Sequence, residues 1–211
     1  MSYFAKKHYQ DEKIADSYYQ KRFQNFSGQI NHILEKKFLH DSLRKLTINS
    51  ALDVACGTGR MTKELLRLDI PVVTGVDISS EMLDNARKYC NSDRTIFLQA
   101  DAVNLQFEDN SQDLVISFRF LDHLPESDKK KAILEMIRCS RKYLVFSMAN
   151  KNRITQIANK IRKRFNKNYY EGFLLYESDF VEFLKDNDVK VVRRRLKFPL
   201  LSMEVMYFCE V

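Results

Sequence analysis

Residues 51–59 have the sequence Ala-Leu-Asp-Val-Ala-Cys-Gly-Thr-Gly, and much of the fold can be inferred from them. Apolar residues around one aspartate lead into a tight glycine turn, and a helical pattern begins directly after it. This order predicts a buried parallel strand that enters a helix through a short loop. Gly57 and Gly59 permit backbone conformations that other residues disfavour, and they let a ligand lie against the main chain. The following helix points its positive end at that ligand.

A second apolar run begins at Val72 and ends at Asp77. An acid at the end of the second strand can accept hydrogen bonds from both hydroxyls of a ribose. A dinucleotide site would have a third glycine at the position of Thr62. Asp53, upstream of the turn, has no use in a pyrophosphate site, but it suits a cofactor that carries an ammonium and a sulfonium group.

The two stretches resemble motifs I and II of the class I S-adenosylmethionine-dependent methyltransferases. The motifs correspond here to residues 52–60 and 75–83, and residues 99–102 and 107–117 resemble the next two blocks. All four follow in the family's order and spacing. The resemblance implies an enzyme whose cofactor is S-adenosyl-L-methionine and whose second product is S-adenosyl-L-homocysteine.

The resemblance also implies a role for individual side chains. Asp53 and the Ala55 carbonyl would hold the cofactor's ammonium group, Asp77 its ribose, and Asp101 the exocyclic amine of adenine. Solvated acids at strand ends are the alternative. The full set of implied cofactor-binding residues is Tyr18, Arg22, Asp53, Ala55, Gly57, Thr58, Gly59, Asp77, Ile78, Met82, Asp101, Ala102 and Phe118.

His123 is the candidate catalytic residue, because it follows the fourth predicted strand at the mouth of the site. A histidine there can take a proton from a substrate hydroxyl near neutral pH. A capping or packing role is the alternative, since methyl transfer from a sulfonium needs mainly in-line positioning. Tyr18 and Arg22 would close over the methionine carboxylate, or their helix would simply cover an edge of the sheet.

Alternating strand and helix patterns predict an α/β fold. The resemblance implies a Rossmann-like sheet of seven strands, mostly parallel with an antiparallel last strand, and helices on both faces. One domain is expected, with a helical cap over residues 1–45, a cofactor-binding core over 46–150, a basic lid insertion over 151–175, and a helix and hairpin over 176–211. The residue patterns predict two helices before the first strand, and Ser80 is the predicted N-cap of the helix after the second strand.

The basic insertion accounts for the charge of the chain. Residues 151–167 carry seven basic side chains and no acid, against a formal net charge of +7 for the whole chain. The pattern predicts a basic amphipathic helix. One interpretation is a helix that packs its apolar side on the domain and exposes its basic side to solvent. The other is a surface for an anionic acceptor, for phospholipid headgroups at a membrane, or for a nucleic acid.

Composition indicates an ordinary globular chain, with 45% hydrophobic residues and no apolar run that approaches the roughly 20 residues of a membrane span. The N-terminal residues lack the pattern of a secretory signal. The four dispersed cysteines predict free thiols and no metal site. We therefore expect a cytoplasmic protein, with peripheral contact at the inner membrane surface as a variant.

Two motifs that are absent after the fourth strand restrict the class of methyl acceptor. Neither the Asn/Asp-Pro-Pro-Tyr/Phe motif of the amino-methylating nucleic-acid enzymes nor a Pro-Cys pair occurs, and residues 117–120 resemble the small-molecule branch of the family. We expect a small-molecule or lipid-linked acceptor, methylated on oxygen, nitrogen or carbon. The alternatives are RNA or another anionic macromolecule held by residues 151–167, and a non-catalytic scaffold that keeps the cofactor pocket.

Overall fold

The structure is a computed structural model that describes residues 26–151, 164, 174–197 and 204–211. The first predicted helix, around residues 14–22, lies outside the described residues. So does the basic segment 151–167, apart from its first residue and Arg164. The division of the chain at residues 45, 150 and 175 stays a prediction.

Five α-helices and eight strands alternate along the described residues. The helices are α1 (Phe26–Leu43), α2 (Arg60–Arg67), α3 (Ser80–Cys90), α4 (Glu126–Cys139) and α5 (Glu177–Lys185), with a 3₁₀ helix at Leu121–His123. The strands are β1 (Ser50–Val54), β2 (Val72–Asp77), β3 (Thr95–Gln99), β4 (Gln112–Ser117), β5 (Ser140–Lys151), β6 (Leu175–Tyr176), β7 (Lys190–Leu196) and β8 (Glu204–Glu210).

Seven strands form one continuous path in the order β3-β2-β1-β4-β5-β8-β7. Strands β1 to β5 are parallel to their neighbours, whereas β8 is antiparallel to both β5 and β7. This confirms the predicted α/β fold with a mostly parallel sheet and an antiparallel last strand. The two-residue strand β6 pairs with the end of β5 and was not predicted. Strand β5 is longer than its apolar run because its far end pairs with β6 and β8.

Two hydrophobic cores lie on opposite faces of the sheet. One contains buried side chains of α1, α2 and α3, and the other contains side chains of α4 and α5. Successive residues of a strand point to opposite faces, so Ala51 contributes to the first core and Leu52 to the second. Helices therefore cover both faces, as predicted.

Helix α1 buries part of the apolar set that predicted it, namely Ile30, Ile33, Leu34, Phe38 and Leu43. Phe38 and Leu43 are buried, whereas Ile33 is 60% exposed. The buried acid Glu35 lies on the same helix and meets three cations from other segments. The pattern of apolar residues alone carried no information about those distant partners.

The N-cap of α3 is Ser79, and the prediction of Ser80 was wrong by one residue. The Ser79 hydroxyl accepts a hydrogen bond from the Met82 amide at 3.2 Å and donates one to Glu81 at 2.8 Å. Ser80 is the first residue inside the helix. The sequence alone does not show which of two adjacent serines is the N-cap, since either side chain can cap the helix.

All four cysteines are buried free thiols, which confirms the prediction from their spacing. Within the described ranges, no group of three or more histidine, cysteine or acidic side chains is arranged to hold a metal ion. The helices of the described part are too short or too polar to cross a bilayer.

Candidate functional site

The turn after β1 is shaped by three residues with positive φ angles, namely Ala55 at 57°, Gly57 at 54° and Gly59 at 78°. Such angles are strained for alanine and free of strain for glycine. The Cys56 amide donates to the Val76 carbonyl at 2.9 Å, which fastens the turn to the end of β2. The peptide units of this turn therefore lie at the carboxyl edge of the sheet, directly before α2.

The two glycines of the turn meet different requirements. A Cβ atom at Gly57 would have no heavy atom within 4 Å, so the space over this residue is open. A Cβ atom at Gly59 would lie 2.8 Å from the Cys90 sulfur and 3.1 Å from the Ala86 Cβ, both on α3. Gly57 thus leaves room for a ligand, whereas Gly59 permits close packing of the turn against α3.

Asp77, the last residue of β2, holds the turn with its side chain. Its Oδ2 accepts a hydrogen bond from the Gly57 amide at 2.8 Å, and its Oδ1 accepts one from the Ser79 amide at 3.0 Å. Burial raises the pKa of the Asp77 carboxyl, and the amide hydrogen bonds oppose that rise. The Ile78 amide also donates to this carboxylate. Because a carboxylate has about four acceptor positions, three amides leave it the capacity for one more donor.

Asp53 lies beneath the turn and is only 2% exposed. The Thr62 hydroxyl donates to Asp53 Oδ2 at 2.6 Å, so the residue that replaces the third glycine is the partner of this acid. Burial raises the pKa of Asp53 to about 7, although the Thr62 hydrogen bond and the charge of Arg60 lower it. The pairing of Thr62 with Asp53 was not predicted from the sequence.

The ends of β2 and β3 bring the predicted adenine-binding residues together. Asp77 is paired in register with Gln99, whose side-chain amide donates to the Ile78 carbonyl at 2.9 Å. Asp101 follows two residues later, and its carboxylate accepts a hydrogen bond from the Val103 amide at 3.3 Å. These contacts fix the loops that carry Asp77 and Asp101 at one edge of the sheet.

The loop after β4 forms the other side of the carboxyl edge. Phe118 is buried, and Arg119 has a φ of 57° with its amide donating to the Ser147 hydroxyl at 2.9 Å. His123 is half-buried at the end of the 3₁₀ helix, and its amide donates to the Phe120 carbonyl. The structure therefore places His123 near the end of β4, and its catalytic role stays a prediction.

Asp122, next to the candidate histidine, was not selected from the sequence. Its carboxylate accepts a hydrogen bond from the Ala149 amide at 2.7 Å, which joins the loop after β4 to β5. Burial raises the pKa of Asp122 to about 6, and the charge of Glu204 raises it further. Nothing in the local sequence distinguishes this acid from a solvated one.

A second set of residues missed by sequence reasoning forms the Glu35 cluster, which we define as Glu35, Arg60, Arg119, Lys197 and Glu204. Arg60, Arg119 and Lys197 surround the Glu35 carboxylate, and Lys197 also contacts Glu204 at 2.7 Å. The one available signal was an acid among the apolar residues of the second predicted helix.

Eleven of the thirteen predicted cofactor residues lie at the ends of β1 to β4, in the loops that follow them or, for Met82, in the first turn of α3. They are Asp53, Ala55, Gly57, Thr58, Gly59, Asp77, Ile78, Met82, Asp101, Ala102 and Phe118. Tyr18 and Arg22 lie outside the described residues.

A family model described as "Methyltransferase domain" matches residues 51–142. Among curated proteins, the demethylmenaquinone methyltransferase of Staphylococcus aureus (strain JH9) is 34% identical over 143 residues, which cover 61% of this chain and 58% of the relative. The chain thus aligns with a little under three fifths of the length of the curated relatives that it matches.

Solved structures share the fold over nearly the whole chain. The magnesium protoporphyrin IX methyltransferase from Synechocystis PCC 6803 with bound S-adenosylhomocysteine has a TM-score of 0.72 at 19% identity, covering 95% of this chain and 99% of that one. An S-adenosylmethionine-dependent methyltransferase from Clostridium acetobutylicum ATCC 824 has a TM-score of 0.74 at 14% identity, covering 93% and 98%. Together, the comparisons confirm the family resemblance predicted from the four motifs.

Proposed function

We propose that this chain, which carries a class I S-adenosylmethionine-dependent methyltransferase domain, transfers the cofactor's methyl group to a small-molecule acceptor. One observation carries the proposal. The Asp77 carboxylate accepts backbone amides on both oxygens, beside a turn whose Gly57 faces open space. A fixed acid with acceptor capacity left, next to the open space over Gly57, suits a ligand that has a ribose and an extended chain.

The residues present fit the cofactor. Asp77 would accept hydrogen bonds from the ribose hydroxyls, and Asp101 would accept one from the adenine amine. Asp53, buried beneath the turn, would act on the ammonium group through Ala55 or a bridging water, because its own carboxylate is nearly inaccessible. When bound, S-adenosylmethionine supplies a methyl group on a sulfonium, which is already an activated leaving group. The chain's own contribution is to orient both reactants and to exclude water.

The names of similar proteins favour a small acceptor. One relative is named for demethylmenaquinone and one structural neighbour for magnesium protoporphyrin IX. In this chain, Phe118 and His123 follow β4, where an acceptor would approach the methyl group. His123 would take the proton of an acceptor hydroxyl or amine, should the acceptor carry one.

A lipid-linked or anionic acceptor is the finer form of this proposal, with residues 151–167 as its contact surface. RNA or another anionic macromolecule on the same segment is the second candidate, and it is favoured only by the seven basic residues there. Steep loss of binding with added salt would separate a polynucleotide from a small acceptor. If the acceptor is lipid-linked, the protein should bind anionic liposomes. A non-catalytic scaffold is disfavoured, because the glycine turn and all three acids are retained.

The first test is calorimetric titration with S-adenosylmethionine and S-adenosylhomocysteine, with NAD as the control ligand. The proposal expects micromolar binding of the first two and no binding of NAD. Transfer of labelled methyl groups to a panel of quinones, tetrapyrroles, phospholipids and RNA would then identify the acceptor class. Absence of binding to both cofactor forms would contradict the proposal and favour the scaffold.

A further inference from the structure

Glu35 is a fully buried carboxylate on α1, with 0% of its surface exposed. Its Oε1 accepts a hydrogen bond from Arg119 Nε at 2.6 Å and a very short one from Lys197 Nζ. Its Oε2 lies 2.7 Å from Arg60 Nη1. These cations outweigh the cost of burial and hold the pKa of Glu35 at about 2, so the group is ionised at neutral pH.

The three cations come from segments that carry different parts of the proposed site. Arg60 directly follows Gly59 and is the first residue of α2. Arg119 directly follows Phe118 on the acceptor side, while Lys197 follows β7 and contacts Glu204 at the start of β8. One carboxylate on α1 is therefore bonded to the cofactor turn, to the loop after β4 and to the last pair of strands.

Hydrogen bonds hold each arginine in place. Arg119 has a φ of 57°, which is strained for a residue with a side chain. The hydrogen bond from its backbone amide to the Ser147 hydroxyl and that from its side chain to Glu35 stabilise this conformation. Arg60 Nη1 also lies 2.8 Å from His32 Nδ1, one turn before Glu35 on α1. Because arginine only donates, this nitrogen of His32 accepts, and burial together with Arg60 lowers the pKa of His32.

We propose that Glu35 is a positioning residue that couples the cofactor turn to the acceptor-side loop, so that occupation of one orders the other. Buried side chains packed this closely have few alternative arrangements, so a shift of Arg60 on cofactor binding is transmitted through Glu35 to Arg119. The inference rests on the proposed function, since it requires a cofactor at the glycine turn.

Glu64 offers a matched control for substitution at Glu35. It is also a buried glutamate, 1% exposed, and its partners Lys36, Arg67, His40 and, at 3.8 Å, His32 all lie on α1 and α2. Glu64 thus reaches Arg60 only indirectly, through His32, whereas Glu35 contacts both Arg60 and Arg119 directly. Loss of either carboxylate should destabilise the chain, but only loss of Glu35 removes the direct link between the glycine turn and the loop after β4.

The experiment compares Glu35→Gln with Glu64→Gln by calorimetric titration with S-adenosylhomocysteine. The temperature is set far below the lower of the two variants' thermal unfolding midpoints. We expect Glu35→Gln to weaken binding tenfold or more and Glu64→Gln to remain within twofold of the wild type. Equal affinities in the two variants would overturn the coupling while the wild-type titration still supports the proposed function. Failure of the wild type to bind would overturn both.

A second measurement needs no variant and covers the case in which Glu35→Gln does not fold. Hydrogen exchange of the wild-type chain is recorded with and without S-adenosylhomocysteine. The inference expects added protection at the glycine turn, in residues 32–39 of α1, and in residues 119–123. Protection that is confined to the glycine turn would overturn it.

Discussion

Replacing Asp77 with alanine tests the part of the site on which the proposed function depends. The substitution removes the acceptor of the Gly57 amide at 2.8 Å and of the Ser79 amide at 3.0 Å. It also removes the remaining acceptor position, which a ribose hydroxyl would use. The change thus affects the ligand directly, and it affects the turn that the ligand would lie on.

The expected loss of affinity follows from the charge of the acceptor. A hydrogen bond to a charged group contributes about 1.5–3 kcal/mol, which corresponds to roughly 10-fold to 150-fold in a dissociation constant. Loss of even one ribose contact therefore weakens binding by more than tenfold. Separately, each buried amide left without an acceptor costs the folded chain about 1–3 kcal/mol, so the unfolding midpoint should also fall.

The assay is calorimetric titration with S-adenosylhomocysteine, at a temperature where circular dichroism shows Asp77→Ala to be folded. Asp93→Ala is the control, because Asp93 is an exposed acid in the segment before β3. We expect the control to bind as the wild type does. A folded Asp77→Ala variant whose dissociation constant is within threefold of the wild-type value would refute the ribose assignment.

The remaining predictions address the turn, the candidate base and the buried acid. Gly57→Val should abolish cofactor binding because its side chain fills the open space, and it should also lower stability because valine is strained at a φ of 54°. Gly59→Ala should lower stability by about 1–3 kcal/mol through its clash with Cys90 and its φ of 78°. Urea unfolding measures the loss of stability, and titration of the folded variants measures the loss of binding. His123→Ala should reduce turnover by ~10²-fold or more if the histidine is the base, and a smaller loss in single-turnover assays makes it structural. Burial raises the pKa of Asp53 from 3.8 to about 7, so the folded chain holds a proton there that the unfolded chain has released. The free energy of unfolding should therefore fall as pH rises through that interval, and Asp53→Asn should flatten the fall.

The fold was predictable because its signals are local. The central parallel strands β1, β2 and β4 are short apolar runs buried on both faces, whereas the edge strand β3 exposes Ile96 and Leu98. The pairing of β8 with β5 was expected only from the family, since the insertion of an antiparallel strand between β5 and β7 leaves no mark in the sequence of either neighbour. The extra strand β6 has two residues, which is too few for any periodic pattern.

The placement of the candidate site residues was predictable to the extent that they occupy strand ends. Asp53 and Asp77 were selected because position in a parallel sheet brings their backbones to one edge. Their environments were not predictable, because the burial of Asp53 and its bond to Thr62 depend on how α2 packs over the turn. The same limit applies to Glu35, whose burial among three cations depends on segments far away in the sequence.

The two sides of the proposed site differ in how the sequence encodes them. The proposed cofactor side uses residues that lie next to a strand end, so a short motif carries most of it. The proposed acceptor side is joined by contacts such as Glu35 with Arg119 and Glu35 with Lys197, which are 84 and 162 positions apart. Such contacts change whenever a cap helix or hairpin changes, without any change in the glycine turn. A chain can therefore keep the motifs of its family and accept a different molecule, which is why the acceptor has to be found by assay.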